Sequence, residues 1–134
     1  MASSSYLLVS LIMQYRVCRK AIVPYSDEQM YALVYDIASY SEFVPWCTKG
    51  YIDSVEGDQV LGVLVFSRFG MQYTLKTLNT CTEYSQIALS LVEGPLDKLH
   101  GAWKFQSTDT GCEVSLELDV VMHSYGLNML FSSM

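Results

Sequence analysis

Positive charge is scarce in this sequence. Eight Lys and Arg stand against fourteen Asp and Glu, a net charge of −6, and charged residues make up only 16% of the 134-residue chain. A protein that grips a phosphate backbone neutralises it with Lys and Arg, so the overall field opposes nucleic acid, and no DNA partner is expected. The local exception is Arg16, Arg19 and Lys20, whose plainest role is to guard an exposed strand edge against mispairing. Histidine is almost missing. His100 and His123 sit in apolar strand contexts with no nucleophile or orienting acid in their pattern, so neither reads as a catalytic base. The four cysteines, Cys18, Cys47, Cys81 and Cys112, form no C-x-x-C pair. That argues against zinc and redox chemistry and favours buried free thiols in a reducing compartment. There is no Gly-rich phosphate loop and no His/Asp/Glu metal spacing. The expectation is a protein without catalytic residues, cofactor or metal. Long apolar runs are missing too. The stretch Tyr6 to Met13 follows no basic residue and is far shorter than the ~20 residues that span a bilayer. A cytoplasmic protein is expected, with at most peripheral contact to a membrane.

What the chain has instead is apolar material, 51% of its residues. One domain of this length buries roughly two-thirds of its unfolded surface, and the surplus is enough for an internal pocket or a subunit interface. Val17 to Val23 reads as a strand closed by Pro24. Ser26 reads as a helix N-cap with Gln29 completing a capping box, and Asp27 and Glu28 suit the positive end of the helix. Met30, Leu33, Val34 and Ile37 then recur at helical spacing on one face. Ser41 to Cys47 reads as a short second helical turn broken by Pro45, with Trp46 packed beneath the first helix.

From Tyr51 the period becomes two. Strands are expected at Tyr51–Val55, Val60–Phe66, Met71–Leu78, Tyr84–Val92, Leu96–Gln106 and Cys112–Met122, divided by turns such as Glu56-Gly57-Asp58 and Phe69-Gly70. The last strand alternates most cleanly, with Cys112, Val114, Leu116, Leu118, Val120 and Met122 on one face and Glu113, Ser115, Glu117 and Asp119 on the other. Val60–Phe66 is apolar on both faces. Such a hairpin succession predicts an α+β domain, an antiparallel sheet with helices on one face. Ser124 to Met134 reads as the first turns of a further helix.

Two blocks go beyond pattern. Val23-Pro24-Tyr25-Ser26, with Gln29-Met30-Tyr31, Leu33-Val34, Asp36 and Tyr40, leads into Phe43-Val44-Pro45-Trp46-Cys47. Ser90-Leu91-Val92-Glu93-Gly94-Pro95 is followed by Leu99, Gly101, Trp103 and Phe105. In this order they resemble the START-type family of coenzyme Q-binding proteins, which includes the bacterial ribosome-association toxins. The similarity covers residues 17–134, leaving 1–16 as an N-terminal extension. Where the family's strand block carries Arg, this chain has Lys76, which keeps the charge without the planar fork.

The resemblance implies a helix-grip fold, a curved antiparallel sheet wrapped on a long C-terminal helix over an apolar cavity. It implies binding of ubiquinone or a related polyprenyl lipid in support of respiration. For the toxin members it implies binding the large ribosomal subunit and blocking subunit joining. Trp46, Phe66, Met71, Tyr73, Leu91, Trp103 and Phe105 are the candidates for lining the cavity. Arg16, Arg19 and Lys20 are the candidates for a ribosome contact. The last helix is expected to be truncated at Met134, leaving an apolar face, so that the chain either self-associates through it or is less stable than a version with the helix restored.

Overall fold

Strands account for most of the chain between Met13 and Met122, the residues that the computed structural model describes. They are β1 (Met13–Val23), β2 (Cys47–Glu56), β3 (Gln59–Arg68), β4 (Met71–Thr82), β5 (Gln86–Glu93), β6 (Lys98–Thr108) and β7 (Gly111–Met122). All pair antiparallel in one curved sheet of order β1-β7-β6-β5-β4-β3-β2. Hairpins therefore link every neighbour from β2 to β7, and β1 closes the order beside the last strand. The first strand begins at Met13, earlier than the expected Val17, because its whole length from Met13↔Met122 to Val23↔Cys112 is paired with β7. Residues 1–12, His123 and the helix expected over Ser124–Met134 lie outside the described residues.

Between β1 and β2 come helix α1 (Asp27–Tyr35) and a 3-10 helix (Ile37–Glu42). The α1 start is built as its sequence implies. The Ser26 hydroxyl accepts from the Gln29 N–H at 3.1 Å, and the Gln29 side chain accepts from the Ser26 N–H at 2.9 Å. The buried face is different from the expected one. Tyr31 and Val34 are buried, whereas Leu33 is 50% exposed. The helix ends at Tyr35, so Ile37 does not continue its stripe; it belongs to the 3-10 helix, where it is buried. That 3-10 helix also lies upstream of the turn expected over Ser41 to Cys47.

The two helices cover the concave face of the sheet at different places. α1 packs Tyr31 and Val34 on Ile87, Phe105, Cys112 and Val114. The 3-10 helix sits over β2 and β3, where Gly50 and Gly62 make room for Ile37: a Cβ on Gly62 would stand 2.7 Å from Ile37 Cδ1, and one on Gly50 would collide with the Ile37 carbonyl. A second cluster, including Phe66, Leu75, Leu99, Val120 and Met122, forms the core toward the other end. Two turns carry glycine in the left-handed conformation, Gly57 at φ 61° and Gly70 at φ 74°. Cys47 and Cys112 are buried free thiols, but Cys18 is exposed, contrary to expectation, because it lies on an edge strand.

Candidate functional site

Strand alternation brings one face of β3 to β7 under the 3-10 helix, and a cavity of about 190 Å³ opens there. Ile37, Tyr40 and Val44 form its roof, and its floor includes Leu64, Leu75, Leu89 and Leu118. Its polar features are few. Asn79, the one buried polar residue in the core among the described residues, accepts through its side-chain oxygen from the Thr77 hydroxyl at 2.7 Å. With that oxygen engaged, the carboxamide brings an N–H donor to an otherwise apolar wall. The Tyr40 hydroxyl donates to the Val34 carbonyl, and burial, with Asp36 adding to it, raises the ionisation of the phenol above its ordinary range. The site can therefore hold an apolar body and one hydrogen-bonding head, and its groups stay neutral.

Of the expected lining residues, Phe66 and Trp103 face this cavity. Tyr73 and Leu91 pack against the neighbouring core, and Phe105 is buried under α1. Met71 is 56% exposed at the start of β4, where its sulfur accepts from the Tyr73 hydroxyl at 3.4 Å. Trp46 is likewise outside, 39% exposed and not beneath α1. The cause is local: Trp46 takes φ 66°, which turns its ring away from the helix and onto the Arg68 guanidinium, 4.0 Å from the ring centroid.

Arg68 also lies over the ring of Phe69, at 4.5 Å, a residue likewise with positive φ (54°) and 67% exposed. Two bulky residues in this conformation cost of order 1–3 kcal/mol each, and strain of this kind persists where surrounding structure or function holds it. The result is an outward platform of two rings sharing one half-buried cation. Nearby on β2, Lys49 lies over the Tyr51 ring at 5.1 Å. Nothing in the sequence singles out Arg68 or Phe69, since Phe69-Gly70 reads only as a hairpin turn.

The basic trio is divided by the pleat. Arg16 and Lys20 share one face of β1, and Arg19 is on the opposite one. Arg16 pairs with Asp119 at 3.1 Å and Glu117 at 3.7 Å, and Lys20 pairs with Glu113 at 3.2 Å. Arg19 donates to the Cys18 carbonyl. His100 faces Asp119 at 3.5 Å on the same solvated ladder. These bases cap the acids of β7 and do not form one patch. Among the described residues no three His, Cys, Asp or Glu side chains are grouped to hold a metal, and no helix is long and apolar enough to cross a membrane.

A curved antiparallel sheet with helices laid on its concave face and an apolar cavity between them is the helix-grip architecture of START-like domains. The chain belongs to the polyketide cyclase/dehydrase and lipid transport family, whose model matches residues 23–134. Among curated proteins it is 39% identical to the persistence and stress-resistance toxin PasT of Escherichia coli O6:H1 (strain CFT073), over 85% of this chain and 72% of that one. It is 38% identical, with the same coverage, to the ribosome association toxin RatA of Escherichia coli K12. Among solved structures it superposes on the Zhui aromatase/cyclase from Streptomyces sp. R1128 with a TM-score of 0.73 at 18% identity, covering 87% of this chain and 73% of that one. A START superfamily protein from Mycobacterium smegmatis gives 0.64 at 19% identity, covering 81% and 75%. At those identities the structural likeness concerns the fold alone.

Proposed function

We propose that this protein is a ribosome-association factor that binds the large ribosomal subunit and blocks subunit joining in the cytoplasm. The observation that carries this reading is the 38% identity to ribosome association toxin RatA over 115 residues, 85% of this chain. The structure supplies a surface suited to it. Ribosomal RNA presents unpaired bases, and these stack on aromatic rings and guanidinium planes. The Trp46–Arg68–Phe69 cluster offers two exposed rings in one place, with the half-buried guanidinium already packed against both. It does so without relying on a long basic stripe, in a chain whose net charge is −6. The Arg16/Arg19/Lys20 cluster suits the role poorly, since two of its three charges are already paired.

The test is co-pelleting of the folded protein with isolated large subunits through a dense cushion, together with a subunit-joining assay. Wild type is expected to pellet with the large subunit and lower the yield of joined ribosomes. Each lost stacked base costs about 1–3 kcal/mol, so a Trp46→Ala, Phe69→Ala double variant is expected to bind at least tenfold more weakly. A wild-type protein that stays in the supernatant overturns the ribosome reading. Equal pelleting of the double variant removes the platform from it.

A second reading is favoured by the cavity. Its apolar walls and the Thr77–Asn79 pair suit a short polyprenyl quinone such as a ubiquinone, with the tail against Leu64, Leu75 and Leu118 and a head carbonyl at Asn79.

A further inference from the structure

A second hollow, about 720 Å³ and open on one side, lies between α1 and the turns at one end of the sheet. Its wall is aromatic. Tyr31 contacts Tyr35 in a stacked geometry at 5.9 Å and Tyr84 edge-on at 5.7 Å between ring centroids. Its rim is acidic, with Asp58 from the β2–β3 turn and Glu83 from the β4–β5 turn, both exposed. No Lys or Arg is among its described lining residues. Tyr84 is another bulky residue at positive φ (65°), a conformation that sets its ring on the edge of this hollow. A hydrogen bond to Glu83, then the charges of Glu83 and Glu28, raise the ionisation of the Tyr84 phenol above its ordinary value.

Ring faces and carboxylates together favour an organic cation. A guanidinium suits them better than an ammonium, since it is planar, stacks on rings and donates in a fork to carboxylates. Small-molecule sites usually enclose most of their ligand, and this hollow is open, so its occupant has to bring its own cover. A side chain standing on a partner's surface does that. We propose that the hollow receives an arginine side chain from a basic protein segment. The acidic stretch Glu113, Glu117 and Asp119, by contrast, is already matched by Arg16 and Lys20. The hollow is independent of the Trp46–Arg68–Phe69 platform and of the ribosome reading.

The experiment is an NMR titration of the full chain with a capped peptide containing several arginines. The same peptide with citrulline, the neutral isostere, and capped single arginine serve as controls. The expected result is shifts centred on Tyr31, Tyr35 and Tyr84, with the citrulline peptide and the single arginine each at least tenfold weaker. Asp58→Asn with Glu83→Gln changes only exposed rim residues and is expected to weaken the arginine peptide at least tenfold while leaving the spectrum of the folded protein otherwise unchanged. Equal binding of the citrulline peptide, or shifts centred on Glu113, Glu117 and Asp119, overturns the site. Single arginine binding as tightly as the peptide overturns its assignment to a protein segment.

Discussion

Tyr40 shows how much one side chain carries in this domain. Its ring roofs the cavity, it leans on Phe43 with ring centroids 5.5 Å apart, and its hydroxyl satisfies the Val34 carbonyl near the end of α1. Burial, then the Asp36 carboxylate, raises its ionisation in the folded state. A group whose folded pKa is raised contributes stability that is complete below its unfolded pKa and is lost as pH rises past it. The window here therefore opens near the ordinary phenol value of about 10. Thermal melts between pH 8 and 11 are expected to show stability falling above that point, with Tyr31, whose ionisation burial also raises, sharing in the fall, and Tyr40→Phe is expected to make it shallower. The same variant is expected to lose about 1 kcal/mol at neutral pH with the hydrogen bond. An alkaline slope identical in the two proteins would mean that Tyr40 ionises freely. At this scale the capping box of Ser26 and Gln29 was legible, because it is a fixed spacing of residue types. The outward turn of Trp46 was not, since it hangs on one positive φ that no pattern of apolar residues encodes.

The elements themselves were easier to read than their faces. All seven strands match expected ones within a few residues, and the alternation of β7 places its even-numbered residues on the concave side as expected. The face of α1 was misread because helical spacing was carried through Asp36, where the chain leaves α1 for the 3-10 helix. The basic trio was read as one cluster because it is close in sequence, whereas a strand sends neighbours to opposite faces. The seat of the 3-10 helix was not legible at all, since it depends on two glycines on adjacent strands. Gly50 is the stricter of them, because backbone stands where its Cβ would go. Gly50→Ala is expected to cost about 1–3 kcal/mol through overpacking and to alter the near-UV circular dichroism of Tyr40 as the roof lifts. Gly57→Ala, with open space but φ 61°, is expected to cost about 1–2 kcal/mol through backbone strain and leave that signal intact. A changed aromatic signal in both, or in neither, would show that the roof is not seated on Gly50.

For the molecule as a whole, cavity and platform are separate consequences of one curved sheet, so a ligand and a ribosome contact can be tested apart. The α+β hairpin order was legible because alternation and turn signals repeat along the chain. The cavity was legible only in part, since Phe66 and Trp103 face it while Asn79, its most distinctive group, is a lone polar residue in an ordinary strand. A space of about 190 Å³ is below the ~300 Å³ at the lower end of drug-sized sites, which limits a quinone here to a short tail. One isoprenoid unit of five carbons still contributes about 4 kcal/mol at ~0.8 per carbon. A ubiquinone with one or two such units is therefore expected to raise the melting temperature, by about 2.7 kcal/mol of added stability at a hundred times its Kd. Leu64→Phe fills the cavity from its floor. The variant is expected to lose the quinone effect while still pelleting with large subunits, because the Trp46 and Phe69 rings lie outside the cavity. Equal stabilisation of Leu64→Phe would place the quinone elsewhere, and no stabilisation of wild type would end the lipid reading while leaving the ribosome reading untouched.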